Sequence, residues 1–232
     1  MKRKRKKEKK KKIPGLFGLV ILIISLLLNA FLLIGNQSAE KPEEFLVNNV
    51  LDGDTFVIKK NQRVRLFDFN APAIDACGGQ KSKDRLEELV LNKKISLREI
   101  RADKYSRIMA LAYQGKQLIN ETMIAEGWGD YIGPQTSQAQ RLRQLHRQAK
   151  EERLGIYSPE CYQTENLDNP ECIIKGNFHE ITSKKTYFFP GCSNYSRTII
   201  EKFNGDQWFC TEKEAQKAGF KKSGDCHGKT FK

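Results

Sequence analysis

Residues 48–73, NNVLDGDTFVIKKNQRVRLFDFNAPA, place acids, an arginine and a proline corner at the ends of two short strands. Thr55–Ile58 and Val64–Phe69 are rich in β-branched and aromatic residues, and the polar Lys59–Gln62 segment between them reads as a hairpin loop. Asp52-Gly53-Asp54 closes the preceding strand with carboxylates at a sharp turn, where Gly53 supplies a permissive φ. Arg65 then falls on the partner strand, within cross-strand reach of Asp54. An acid facing a guanidinium in this way suits a divalent cation beside a phosphate, because hard cations take oxygen ligands and arginine clasps phosphate with two parallel donors. The plainer reading of the same residues is a DGD turn beside a surface salt bridge.

Further pieces follow downstream: RLFDFNAP, then DKYSR at 103–107, then LINETMIAEGW. In order and spacing the set resembles the staphylococcal nuclease (thermonuclease) family over residues 45–158. The resemblance implies an α+β domain, a five-stranded OB-type barrel with three helices, acting as a Ca²⁺-dependent phosphodiesterase on DNA and RNA from the barrel's mouth. It implies Asp54, Asn70 and the backbone carbonyl of Ala71 as metal ligands. Arg65 and Arg107 match the arginines that grip phosphate, and Lys104 and Tyr105 stand where the family contacts the nucleotide. Two positions depart from the family pattern D-[AT]-P-E, which here reads Asn70-Ala71-Pro72-Ala73. The Asn70 amide oxygen still ligates calcium but brings no charge. Ala73 replaces the glutamate that handles the attacking water, and loss of a general base forfeits ~10²–10⁴-fold in rate. Asp75 lies two residues on and could swing in as a substitute, against which stands the loop shift that displaces it from the place an in-line water requires. Two readings therefore stand: a membrane-tethered, Ca²⁺-dependent nuclease with a degraded site, or a catalytically silent OB-fold module that binds nucleic acid or a protein partner at the cell surface.

The formal charge is +13, yet residues 1–12 hold ten Lys or Arg against one Glu, so most of the basicity belongs to a tail. Gly15–Gly35 is an uncharged, largely apolar run of 21 residues, long enough to cross a bilayer as a helix. The cationic flank stays cytoplasmic and directs the C-terminal bulk to the extracytoplasmic side of the cell membrane. A cleaved signal peptide is the rival; its apolar core is shorter, and Gln37 sits where a small residue is wanted two before Ala39. The expected organisation is a basic cytoplasmic tail at 1–12, a single-pass signal anchor at 13–35, a tether at 36–43, the barrel domain at 44–161, a polar linker at 162–170 and a small cysteine-rich α+β module at 171–232. The implied partners are nucleic acid and, through the anchor, the lipid bilayer.

Within the barrel region KSKDRLEELVLN carries a helical stripe at Leu86, Leu89 and Val90. Lys94–Ile100 and Ile108–Tyr113 read as strands, and LINETMIAEGWG as a helix stopped at Gly127. A longer helix runs from Ser137 to Arg153, with Ser137 and Gln140 as a capping box.

The six cysteines are even in number and lie on the side expected to be oxidising, which favours disulfides. Cys77 with Cys161 staples the exit of the barrel against the site loop. Of the three pairings open to the remaining four, Cys172–Cys210 with Cys192–Cys226 is the expectation. The pattern KxYxxPGC…WFCxEKEAxxAGF resembles sunset-type modules of secreted nucleases and, more distantly, the zinc-binding module of the Ada repair protein. Zinc on these thiolates is the alternative to disulfides; no CxxC pair is present to favour it. Two or three short strands and a helix at Glu212–Gly219 complete this module.

Overall fold

The computed structural model describes residues 19, 21–29, 42–105 and 107–231. The chain divides into two compact units, Met1–Pro42 and Glu43–Lys232. In the first, residues 21–29 are helical and exposed. The tail, most of the expected anchor and nearly all of the tether lie outside the described residues; among those described, no helix is long and apolar enough to cross a membrane.

The second unit opens with β1 (Glu44–Leu46), β2 (Asn49–Val50), β3 (Thr55–Ile58), β4 (Gln62–Leu66) and β5 (Phe69–Asn70). There follow helix α1 (Gly79–Val90), β6 (Lys94–Ala102), β7 (Ile108–Gln114), β8 (Gln117–Leu118), α2 (Ile119–Ala125), β9 (Asp130–Tyr131) and α3 (Ala139–Glu151). The main sheet is ordered β1-β6-β7-β4-β3-β2, with β8 on β7. β1 and β2 are two halves of one kinked segment, so both ends of the curled sheet meet in the same stretch of chain. Alternation in β4 explains the curl's filling: Val64 and Leu66 are fully buried, whereas Arg63 and Arg65 face away. Their apolar partners come from Phe56, Ile58, Ile95 and Ala112 on strands, and from Leu86, Met123 and Leu142 on the three helices. Burial of each of the larger side chains, Ala112 apart, contributes about 1.5–3 kcal/mol.

Several expectations need correction. The strand expected at Val64–Phe69 breaks at Phe67–Asp68, where Asp68 takes φ +56°, and the chain leaves the sheet. Phe69 and Asn70 pair instead with Tyr131 and Asp130, which delivers Asn70 to the mouth of the curl. Buried Asn120 fixes that break: its amide donates to the Phe67 carbonyl at 2.8 Å and its oxygen accepts from Ala112 N–H at 3.0 Å. The Ser137/Gln140 capping box is absent; α3 begins at Ala139, and Ser137 N–H donates to Glu99 at 3.0 Å, as does its hydroxyl. A carboxylate presented by the irregular register of β6 makes a charge-assisted bond that outcompetes the local cap. Gly53 does not need a left-handed φ. A Cβ there would lie 2.1 Å from Ser82 Oγ of α1 and 2.7 Å from Ala71 Cβ, so glycine is required by close approach.

Beyond α3 the chain forms β10 (Tyr162–Gln163), β11 (Ile174–His179), β12 (Lys184–Phe188), β13 (Ile200–Glu201), β14 (Gln207–Phe209), helix α4 (Glu212–Lys217) and β15 (Lys221–Lys222). A four-stranded sheet, β14-β11-β12-β15, replaces the expected two or three strands; β15 is only two residues long and pairs parallel, below what periodicity reveals. The segment read as a linker is tied down: β10 pairs with β13, and Gln163 and Asn166 are buried. Phe203 enters a core shared with Ala149, Ile156, Tyr157 and Cys161. All six cysteines are paired, Cys77–Cys161, Cys172–Cys210 and Cys192–Cys226, so no thiolate remains for zinc.

Candidate active site

The DGD turn delivers Asp54 to the start of β3, where its side chain is nearly fully buried. One carboxylate oxygen accepts from Thr55 Oγ1 at 2.7 Å and from Arg65 Nη1; the other accepts from Ala71 N–H at 3.1 Å. Arg65 comes from β4, opposite Thr55 in the antiparallel register. Its second terminal nitrogen donates to Asn70 Oδ1 at 2.7 Å. One guanidinium thus spans Asp54 and Asn70, the two side chains expected to share a cation. Burial pushes the Asp54 carboxyl up to about 6; Arg65 opposes the rise and Asp52 adds to it.

These residues line a cleft of about 850 Å³. Ala71 to Ala76 form one wall. That loop is held against α1 because Gly79 lets the backbone in: a Cβ there would fall 1.8 Å from the Ala73 carbonyl oxygen. Ala73 is exposed to the cleft and offers only a methyl group, while Asp75 and Asp52 bring carboxylates to the same lining.

Arg107, Lys104 and Tyr105 do not line this cleft. Arg107 sits just before β7, tied through Nε to Asp103 at 2.7 Å and lying 5.4 Å from the Tyr105 ring centroid. Tyr105 is 66 % exposed. Register places Met109, two residues on, opposite Arg65, so the second arginine flanks the site along the neighbouring strand. Sequence reasoning missed the cleft's opposite wall, contributed by Phe178, Glu180 and the turn from Lys202 to Gln207. No local motif marks those positions; the pairing of β10 with β13 and the burial of Phe203 bring them here.

As ligands, Asp54, Asn70 and the Ala71 carbonyl make an all-oxygen set, which fits a hard divalent cation. Among the described residues no group of three or more His, Cys, Asp or Glu side chains is gathered to hold a metal, so the fit rests on one carboxylate, one amide and backbone.

Comparison with known proteins follows the same residues. The profile of staphylococcal nuclease homologues matches residues 63–159. A micrococcal nuclease of Shigella flexneri is 30% identical over 127 residues, covering 48% of this chain and 72% of the relative. The chain belongs to the staphylococcal nuclease family. Another relative, an uncharacterised endonuclease of Haemophilus influenzae, is 38% identical over 111 residues, 46% of this chain; the match spans 61% of that protein's length. A thermonuclease of Staphylococcus intermedius is 25% identical over 160 residues, covering 60% of this chain and 95% of the relative. The thermonuclease-like domain is therefore the part of the chain that carries Arg65, Asn70 and Ala73.

Proposed function

We propose that this protein is a divalent-cation-dependent nuclease that hydrolyses phosphodiester bonds of DNA or RNA. It works from an OB-type barrel held on the outer side of a membrane by an anchor at residues 13–35. The observation that carries this reading is the convergence of Asp54, Arg65 and Asn70 at the floor of one cleft.

Asp54, Asn70 and the Ala71 carbonyl would hold calcium, the family's cation, which when bound supplies positive charge to a phosphoryl oxygen. Arg65 does the rest of the charge work. In the ligand-free protein it neutralises Asp54, and with substrate present its planar fork turns to the phosphate and stabilises charge building on it. The cleft lining otherwise carries several carboxylates, so a polyanion enters only with a cation beside it. Arg107, freed from Asp103, approaches from the flank, with Lys104 and Tyr105 as nucleotide contacts on the same turn. Nothing at Ala73 accepts a proton, so water activation is slow and turnover is low.

The second reading, a silent nucleic-acid-binding module, is favoured by that same methyl group. The full-length chain incubated with a single-stranded oligonucleotide, in calcium and in chelator, separates the two. Cleavage lost in chelator supports the nuclease. Binding without cleavage in calcium supports the silent module, and cleavage indifferent to chelator removes the metal role of Asp54.

A further inference from the structure

The cleft above Asp54 has two walls, and the far one is not part of the nuclease-family domain. It is built by Phe178 and Glu180 at the end of β11 and by the turn that joins β13 to β14. That turn is fixed relative to the barrel in three ways. Lys202 N–H donates to the Cys161 carbonyl at 2.9 Å. Phe203 is buried with Tyr157 and Ile156, and Glu201 pairs with Tyr162 across β10 and β13. At its root, buried Asp206 accepts from Phe178 N–H at 2.7 Å and from Glu201 N–H at 3.0 Å, which locks the turn to β11.

The distribution of charge across the cleft is the second observation. Among the described residues that line it, only Arg65 at the floor and Lys202 on the far wall are basic, while Asp52, Asp54, Asp75, Glu180 and Asp206 are acidic. Lys202 is paired with Asp168, whose carboxylate is 71% exposed. The Lys202 side chain is itself 25% exposed, but its partner lies in solvent, which holds the worth of the pair to about 1 kcal/mol and lets a phosphate compete for the ammonium. Phe178 is half-buried with its remaining surface on the same wall. The far wall therefore offers a strand held at Arg65 both an aromatic ring, Phe178, and the Lys202 side chain.

We propose that Phe178 and Lys202 form a subsite for the nucleotide next to the phosphate held by Arg65. Lys202 contacts the adjoining phosphate and Phe178 packs on the base of one unpaired strand. The C-terminal region is then part of the substrate-binding site. This inference rests on the nuclease reading above, and its test is built to fail separately.

Binding of a fluorescent single-stranded oligodeoxynucleotide to the full-length chain in calcium is measured across a salt series. Lys202→Ala weakens binding and lowers the slope of log affinity against log salt by about 0.7, the contribution of one phosphate contact on a single strand. Phe178→Ala weakens binding about tenfold with the salt slope unchanged, as loss of stacking requires. Lys202→Arg restores the wild-type slope, whereas Lys184→Ala, on an exposed lysine that does not line the cleft, changes neither quantity. If the wild-type protein neither binds nor cleaves the oligonucleotide, the nuclease reading fails. If it binds while Lys202→Ala and Phe178→Ala keep wild-type affinity and slope, the subsite is overturned and the nuclease reading survives.

Discussion

Arg65 reaches across from β4 to lie on the carboxylate of Asp54, and the same guanidinium holds the Asn70 side chain. Arg65→Ala leaves a buried carboxylate without its counter-charge and removes the group proposed to meet the phosphate. Cleavage should fall ~10²–10³-fold, and stability by up to about 3 kcal/mol in the absence of metal. Arg65→Lys should recover some of the stability and little of the activity, since one ammonium cannot span both oxygens. Turnover on an oligonucleotide and denaturant unfolding in chelator measure the two effects.

Restoring acids at positions 70 and 73 tests the proposed loss of the metal ligand and base directly. Asn70→Asp adds the missing ligand charge and should tighten calcium binding about tenfold, read by calorimetry. Ala73→Glu, on the background of Asn70→Asp, should raise the cleavage rate by ~10²–10⁴-fold. Ala73 is exposed to the cleft, so the longer side chain has room. A double variant that binds calcium tightly yet cleaves no faster would show that the missing base is not what limits the reaction.

Gly53 provides a purely steric test. Gly53→Ala drives a methyl group into Ser82 and Ala71 and should cost ~1–3 kcal/mol. Ser82→Gly in the same chain should return part of it, because the Ser82 hydroxyl is buried without a hydrogen-bond partner among the described residues. Thermal unfolding of the single and double variants reads this out. Equal destabilisation in both would point instead to backbone conformation.

The C-terminal module should have its own acid sensitivity. Burial works against the charge of Glu212, but Lys222, Tyr187 and the Phe231 N–H outweigh it and hold the carboxyl below its usual range. A lowered folded-state value means that its stabilisation is complete above the unfolded value of about 4.3 and is lost as pH falls through the folded one. Glu212→Gln should therefore unfold at a lower temperature than wild type at neutral pH, and the gap should narrow below about pH 4. Thermal scans between neutral and acid pH follow the change. A gap constant over that range would assign the loss to packing.

What could be read ahead of the structure was mostly local. The DGDT turn and the facing Arg65 follow from the strand pattern on either side of one short loop, and the altered NAPA corner was legible through the resemblance to the family. The break at Asp68 could not be read, because Val64 to Phe69 keeps a strand-like composition across it and only Asn120, far along the chain, holds the exit. The Ser137 cap failed for a related reason: a tertiary acid, Glu99, won its donors. Expected cysteine pairings matched, helped by the small number of ways to join six residues. The far wall of the cleft lay outside any pattern, since Phe178 and Lys202 owe their place to a two-residue strand pair and one buried phenyl ring.

That ring, Phe203, carries a practical consequence. A fragment cut out of this chain at Cys161 would keep residues 63–159 that match the family and lose the plug that fills the hollow beside Tyr157. Such a fragment would expose an oily socket and invite self-association, and its behaviour would misreport the parent protein. Workers trimming the protein for crystals or assays should keep the C-terminal region that carries Phe203, and not stop where the family match ends.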